Sequence, residues 1–462
     1  MSLSRRTFFA TSAAALAFNG YACAQEMPED TYRNDVAGYG PLVEDPHGIF
    51  DLPAGFSYRV ISQVGETMDD GFLAPDKFDG MGSFALGPDR VILVRNHELK
   101  VTDSNFGPQG LGRRIGGLDK SRAYDVDDNG HALPGGTTTL VYNLRTGRTE
   151  SQHLSLTGTA VNCSGGVTPW GSWLSCEETT TQAGFNVGKD HGYVFEVPSR
   201  AKGLVEAVPL KALGRFRHEG ACIDPRTGIV YLTEDRPDSL FYRLLPAARG
   251  DLAKGGRLQA LGFTDAPESC DTRNWETVGM ETAGWRDARW IDLDHVEAPD
   301  DDLRLRGARD GAAVFARGEG VFWGKDELYF TCTSGGAASA GQIMRYVPSP
   351  REGQADEKDA PGRTQLFVES VDPGVLDYAD NIAVAPWGHI IACEDRYSDV
   401  ERNHLKGVTP QGKVYTIGRN TFRGNAELAG VCFSPDGSTL FVNIYQPGVT
   451  LAVTGPWASF KG

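Results

Sequence analysis

Acidic side chains recur at the two ends of short β-like hairpins along this chain, and that placement is its first feature with chemical content. Six stretches open on a polar residue, run through a short strand, turn at Gly, Pro or Asp, and return to a second polar residue 14 to 19 positions on. The pairs are Asp79 and Glu98, Cys163 and Glu177, Glu219 and Glu234, Glu319 and Thr333, Asp380 and Glu394, and Glu427 and Asn443. In an antiparallel hairpin the start of the first strand and the end of the second lie at the same end. Stacked as repeats of one closed body, Asp79, Cys163, Glu219, Glu319, Asp380 and Glu427 would ring a single mouth. Glu98, Glu177, Glu234 and Glu394 would form a second row just outside it.

Carboxylates at that density repel and raise one another's pKa unless cations neutralise them. Carboxylate oxygens suit hard cations such as Ca2+, and a thiolate among carboxylates suits a transition metal. The plain alternative is that Glu-Asp-Arg, at 234–236 and again at 394–396, closes hairpins by salt bridges. Arg317 interrupts the acids two residues before Glu319. Its forked guanidinium suits a bidentate oxyanion, or else an ion pair with a neighbouring acid. A cation cluster edged by one arginine is what phosphoryl transfer needs, because charge gathers on the phosphoryl oxygens.

The elements that position these residues read as all-β. A further apolar stretch follows most of the hairpins, as at Gly192-YVFEVP, Leu240-FYRLLP, Ile343-MRYVP and Val414-YTIG. Strand, turn, strand and a third strand outline a propeller blade, so six units predict a six-bladed β-propeller. The chain is far longer than six minimal blades of roughly 40–45 residues, which leaves long loop insertions. Candidates are 101–136, 265–312 and the polar stretch 351–363, expected as an exposed loop. No helix-period stretch suggests a second domain, so residues 25–462 are expected to form one propeller.

Composition fits that reading: 57 Gly and 25 Pro in 462 residues favour many turns, and 40% hydrophobic residues suit a globular body. A net charge of −16 disfavours nucleic acid and anionic membranes as partners. Residues 1–24 read as a twin-arginine signal: Arg5-Arg6 precede a short apolar run, and Ala22-Cys23-Ala24 offers a cleavage site. Export of a folded monomer by the twin-arginine machinery to the periplasm or beyond is therefore expected. Cys222, Cys332, Cys393 and Cys432 sit in apolar runs as small buried hydrophobes. Cys163 reads as part of a glycine-rich loop, Val161-NCSGG, where a thiol has no such role.

Weaker motifs point elsewhere. Asp125 to Asn129 matches half an EF-hand loop, but position twelve is Gly136, so an Asx turn is expected rather than a peripheral Ca2+. His97 and His218 precede ring acids or their partners and should point away into packing. There is no Gly-x-Ser-x-Gly elbow and no Walker loop.

The segments Asn162-CSGGVTPWGSWLSCEE, Arg217-HEGA, Arg317-GEG and Asp380-NIAVAPWG together resemble the PhoX family of secreted alkaline phosphatases. That resemblance, running from about residue 40 to 450, implies a six-bladed propeller that hydrolyses small-molecule phosphate esters at a cluster of Fe3+ and Ca2+ ions. It implies Cys163 as the cysteine ligand of iron, and Glu177 or Glu178, Glu219, Glu319, Asp380 and Glu427 as cluster carboxylates. Arg317 would bind phosphate. Two other readings stay open: a calcium-dependent propeller lactonase of the gluconolactonase type, and a propeller that only binds a partner. Neither needs the cysteine or the arginine.

Overall fold

The computed structural model describes residues 31–396, 402–422 and 426–462, with the backbone of Gly20–Tyr21. The signal expected over 1–24 falls, but for that dipeptide, outside the described residues. The fold is all-β and propeller-like, with one short α-helix, Leu303–Arg309, among the described residues. None of the described helices is long and apolar enough to cross a membrane.

Each expected hairpin forms. The first is Phe78–Ala85 with Arg90–His97, the second Asn162–Val167 with Ser172–Glu177, and the third His218–Ile223 with Val230–Glu234. The remaining three are Gly318–Trp323 with Leu328–Cys332, Ala379–Val384 with Ile390–Glu394, and Leu428–Phe433 with Thr439–Ile444. Their first strands touch one another in sequence order, and the last touches the first, so they line a closed channel. Apolar side chains of neighbouring sheets interleave outside it, as Leu174 and Val194 do with Val230 and Leu244.

Closure depends on the start of the chain. Ser57–Gln63 pairs antiparallel with Val449–Thr454, and Phe50–Pro53 pairs with Val414–Asn420. The N-terminal strands thus cover the outer edges of the last two sheets, edges that would otherwise offer unpaired backbone groups.

Two readings of the connections need correction, and a third needs an addition. Val414–Asn420 is the fourth strand of its sheet, because His404–Val408 lies between it and the hairpin. The insertion 265–312 is not all loop: Trp285–Asp292 pairs with both Gly256–Phe263 and Arg363–Glu369, joining two sheets into one of nine strands. The stretch 351–363 is exposed over much of its length, as expected, but it is anchored at one point. Glu352 within it is buried, accepts from Tyr231 and the backbone of Ser349 at 2.9 and 2.7 Å, and pairs with Arg243.

A bulge interrupts every hairpin at its carboxylate end, so that two residues of the first strand oppose one of the second. Bulges of this kind bend a strand and re-aim its side chains. They also let adjacent hairpins meet backbone to backbone: a Cβ on Gly320 would lie 2.6 Å from the Asp380 carbonyl oxygen, and one on Gly80 the same distance from Ser164 Cα. In three hairpins the residue opposite the bulge then clasps the next hairpin. Asn96 donates to the Ser164 carbonyl at 2.7 Å, Thr331 to that of Asp380 at 2.7 Å, and Thr233 to that of Glu319. Asn443 donates to the Asp79 carbonyl at 2.6 Å and so locks the last hairpin to the first.

Asn443→Ala should therefore destabilise the protein by about 1–3 kcal/mol, the cost of leaving a buried carbonyl unpaired. Urea unfolding measures this, and a loss below about 0.5 kcal/mol, the scale of an ordinary surface substitution, would show that the clasp does not hold the ring shut.

Candidate metal centre

The bulge explains why the opening residues converge. Asp79, Cys163, Glu219, Glu319 and Asp380 each occupy its first position, directly after the last paired residue. A second repeated contact sets the other row. The amide of the residue following each second strand donates to the carbonyl of the residue preceding each first strand or its opening pair. These bonds are Glu98 to Lys77 (3.1 Å), Glu178 to Val161 (2.8 Å), Asp235 to Arg217 (3.1 Å), Thr333 to Arg317 (3.0 Å), Asp395 to Tyr378 (3.1 Å) and Tyr445 to Glu427 (3.2 Å). Lys77, Val161, Arg317 and Tyr378 carry φ of 52°, 54°, 52° and 48°, left-handed values that cost non-glycine residues energy and that cluster at functional sites.

The sequence reading placed the second row one residue too early in three hairpins. Glu98 stands where expected, but Glu177, Glu234 and Glu394 are the paired strand residues themselves, and their carboxylates turn outward into the fold. Glu177 accepts from the amides of Ala160 and Gly192, both at 2.9 Å, and from His191 at 2.6 Å. Glu234 accepts from Tyr242 Oη at 2.6 Å, and burial pushes its carboxyl up to about 7. Glu394 accepts from the amide and Nδ1 of His404, both at 2.9 Å. Burial alone would raise its carboxyl, but Lys406 and His404 hold it below the usual range. The residues that face the mouth are the next ones: Glu178, Asp235 and Asp395. Reasoning from sequence missed Asp235 and Asp395, although the doubled acids 177–178, 234–235 and 394–395 carried the signal.

Glu427 reaches the mouth by a different route. It precedes Leu428–Phe433 in the place that Lys77 and Arg317 hold elsewhere, and Gly430 sits in its bulge. Cys163 is likewise not in a loop; it lies on the inner strand Asn162–Val167.

The donor atoms gather into three groups, each within 4.8 Å: Cys163 with Glu178 and Glu219, Asp79 with Glu98 and Glu427, and Glu219 with Glu319 and Asp380. Glu178 and Asp235 are in hydrogen-bonding contact, as are Glu427 and Asp395, and Cys163 bonds both Asp79 and Glu219. Burial first, and then neighbouring carboxylates, push Asp79, Glu178, Glu219, Glu319, Asp380 and Glu427 well above the normal carboxylate range. The same two causes push the Cys163 thiol up. By themselves these groups would hold protons; multivalent cations would replace those protons and strip the thiol. The donors fit such ions, for Glu219 Oε2 is buried with no hydrogen-bond partner among the described residues.

Arg317 lies beside the third group. Its Nε donates to Asp235 at 2.7 Å, and its Nη2 donates to both Asp235 at 3.1 Å and Glu319 at 2.9 Å. The ion-pair role is thus present, and it fixes where the guanidinium stands. The remaining candidates pack as expected. His97 bonds the Asp76 carbonyl and Thr138, and His218 stacks on Phe216. Asp127 accepts from the amides of Asn129 and His131, both at 2.9 Å, as an Asx turn. Cys222, Cys332, Cys393 and Cys432 are buried in apolar clusters.

Fold and site together define an all-β, propeller-like protein whose channel mouth is lined with acids, one thiol and an arginine. The chain belongs to the alkaline phosphatase PhoX family, whose profile matches residues 37–448, and it is a phosphatase. Among solved structures it is similar to Pseudomonas fluorescens PhoX in complex with vanadate, a transition state analogue. That match has a TM-score of 0.64 and 18% identity, and it covers 92% of this chain and 98% of that one. A gluconolactonase from Xanthomonas campestris matches with a TM-score of 0.42 and 14% identity, over 90% of this chain and 98% of that one. No curated protein sequence matches the chain.

Two predictions follow the geometry. Asp235→Asn and Asp395→Asn should each lower the metal bound per chain, whereas Glu234→Gln should leave it in place. Elemental analysis decides, and equal losses in all three variants would return Glu234 to the ring. The second concerns the Glu177–His191–Asp125 clamp. Burial alone would lower the His191 pKa, but Glu177 and then Asp125 outweigh it and raise it to about 9. A raised histidine pKa contributes stability that is full below about pH 6.5 and is lost as pH rises through about 9. His191→Gln should flatten the decline of the urea midpoint across that window; parallel curves would show that the clamp carries no charge-linked stability.

Proposed function

We propose that the chain is a six-bladed propeller phosphatase that hydrolyses phosphate monoesters at the acid-lined mouth of its channel, with Ca2+ and Fe3+ held there. The observation that carries this reading is the convergence of Cys163, Glu178 and Glu219 beside two all-carboxylate groups and Arg317. The thiolate-containing group would hold iron, and the oxygen-only groups, Asp79 with Glu98 and Glu427 and Glu219 with Glu319 and Asp380, would hold calcium. When bound, such ions supply Lewis acidity and neutralise charge on phosphoryl oxygens.

What the chain itself contributes is position. Asp235 and Glu319 pin the Arg317 guanidinium at the edge of the acids, so that its charge faces incoming phosphoryl oxygens without reorganisation. The clasps between hairpins hold the acids at fixed spacing, and the partly open sides of Glu98, Glu178, Asp380 and Glu427 leave the mouth accessible to a small ester. A transition state analogue bound by the Pseudomonas fluorescens relative supports phosphoryl transfer as the reaction. The lactonase and binding-module readings explain neither Cys163 nor Arg317. The same reading has residues 1–24 direct export through the twin-arginine machinery, leaving a periplasmic or secreted monomer of residues 25–462.

Cys163→Ser provides the test. The wild type should hydrolyse p-nitrophenyl phosphate, bind calcium and iron, and absorb visible light through an iron–thiolate bond. The variant should fold but lose its iron, its colour and at least 90% of its activity, about a tenfold loss or 1.4 kcal/mol of barrier. A variant that keeps both iron and activity would show that carboxylates alone hold the centre.

A further inference from the structure

We infer that Arg217 reads the alcohol half of the substrate and favours phosphate esters whose leaving group carries a second anion; this rests on the phosphatase reading above. Arg217 stands two residues before Glu219 as Arg317 stands two before Glu319, on first strands that touch. Both carbonyls accept the same repeated amide bond, from Asp235 and Thr333 respectively. The two arginines nevertheless differ in what their side chains do. Arg317 is held by hydrogen bonds to Asp235 and Glu319. The Arg217 side chain makes none among the described residues: its Nη1 lies 3.7 Å from Glu178, its Nε is buried without a partner, and 41% of the side chain is exposed.

A chain of contacts runs Arg217, Glu178, Asp235, Arg317, with cations at both ends and two carboxyls between. Two guanidiniums spaced in this way suit a small molecule with two anionic groups. The transferred phosphoryl would lie by Arg317, and a carboxylate or second phosphate on the alcohol would take the unused fork of Arg217. An ester with a neutral alcohol would have nothing to place there. In a chain with net charge −16, a local cation also offsets the repulsion that a doubly anionic substrate meets.

Glycerol 3-phosphate and 3-phosphoglycerate test this, because they share a three-carbon frame and differ by a carboxylate. In the full-length, metal-loaded enzyme the ratio of kcat/KM, 3-phosphoglycerate over glycerol 3-phosphate, should fall at least tenfold in Arg217→Gln, whatever loss the two esters share. Arg217→Lys, which keeps the charge but not the fork, should recover part of the ratio. A ratio that does not move, including an equal loss on both esters with metal content intact, overturns the assignment and leaves the phosphatase reading standing. A wild-type enzyme that hydrolyses neither ester would instead sink the reading on which it rests.

Discussion

Mutual repulsion among acids is the constraint around which this molecule is built. Seven carboxylates and a thiol meet in three groups, two of which share Glu219. A flexible scaffold would relieve that crowding by letting the side chains swing apart. This one prevents it through backbone: the bulges fix where Asp79, Cys163, Glu219, Glu319 and Asp380 point, and the clasps from Asn96, Thr233, Thr331 and Asn443 tie four of the six hairpins to their neighbours. Glycines at 80 and 320 are the cost of that intimacy, since a single methyl group at either would strike the adjacent strand. The pairing of Ser57–Gln63 with Val449–Thr454 then makes the ring a closed object that cannot splay at one seam.

Much of this was legible in the sequence, for a definable reason. Short apolar strands with Gly, Pro and Asp turns announce hairpins, and polar residues at both ends of each announce that the ends share an environment. Cys163 stood out because a thiol flanked by Asn162, Ser164 and Gly165 has no apolar neighbours to pack with. The phase of the second row was not legible. A bulge shifts the pairing of two strands by one residue, and short apolar strands do not reveal where it falls, so counting from turn to end landed on Glu177, Glu234 and Glu394. The anchoring of Glu352 was hidden for a related reason: its partners Tyr231 and Arg243 lie more than 100 positions away, and polarity alone cannot distinguish a solvated loop from a buried salt bridge.

The outward-turned acids are not spare. Glu177, Glu234 and Glu394 form a layer behind the mouth in which each carboxylate has its own donors: backbone amides and His191 for the first, Tyr242 for the second, His404 for the third. They occupy equivalent strand positions, yet no two use the same partners. At Glu177 and Glu394 these bonds reach both carboxylate oxygens, while Glu234 keeps Oε1 without a hydrogen-bond partner among the described residues. The bonded carboxylates rigidify the strand ends from which Glu178, Asp235 and Asp395 project, because a buried acid held by donors resists displacement. Acids facing the mouth are thereby held by acids facing away from it, and the two layers have opposite chemistry: one is short of donors, the other supplied with them.

A repeated frame with unrepeated side chains explains how one ring holds different kinds of group. The second row, set by the same amide bond throughout, reads Glu98, Glu178, Asp235, Thr333, Asp395 and Tyr445. Thr333 and Tyr445 break the run of acids, with Asp395 between them. Beside Thr333 the position is taken by Arg317, whose charge answers Glu319 and Asp235. Beside Tyr445 the acid comes instead from Glu427, moved to the place where Arg317 stands in its own hairpin, while Tyr445 donates to Glu98. One position in the repeat therefore carries a lysine, a valine, two arginines, a tyrosine and a glutamate, at residues 77, 161, 217, 317, 378 and 427. Backbone symmetry sets the spacing of the mouth, and the breaking of that symmetry at this position divides it into an acid-rich side around Glu427 and an arginine side around Glu219 and Glu319. Among the described residues, guanidiniums stand ready for a substrate's negative charge on the second side, whereas on the first the cation at this position, Lys77, is paired with Asp103 at 3.1 Å.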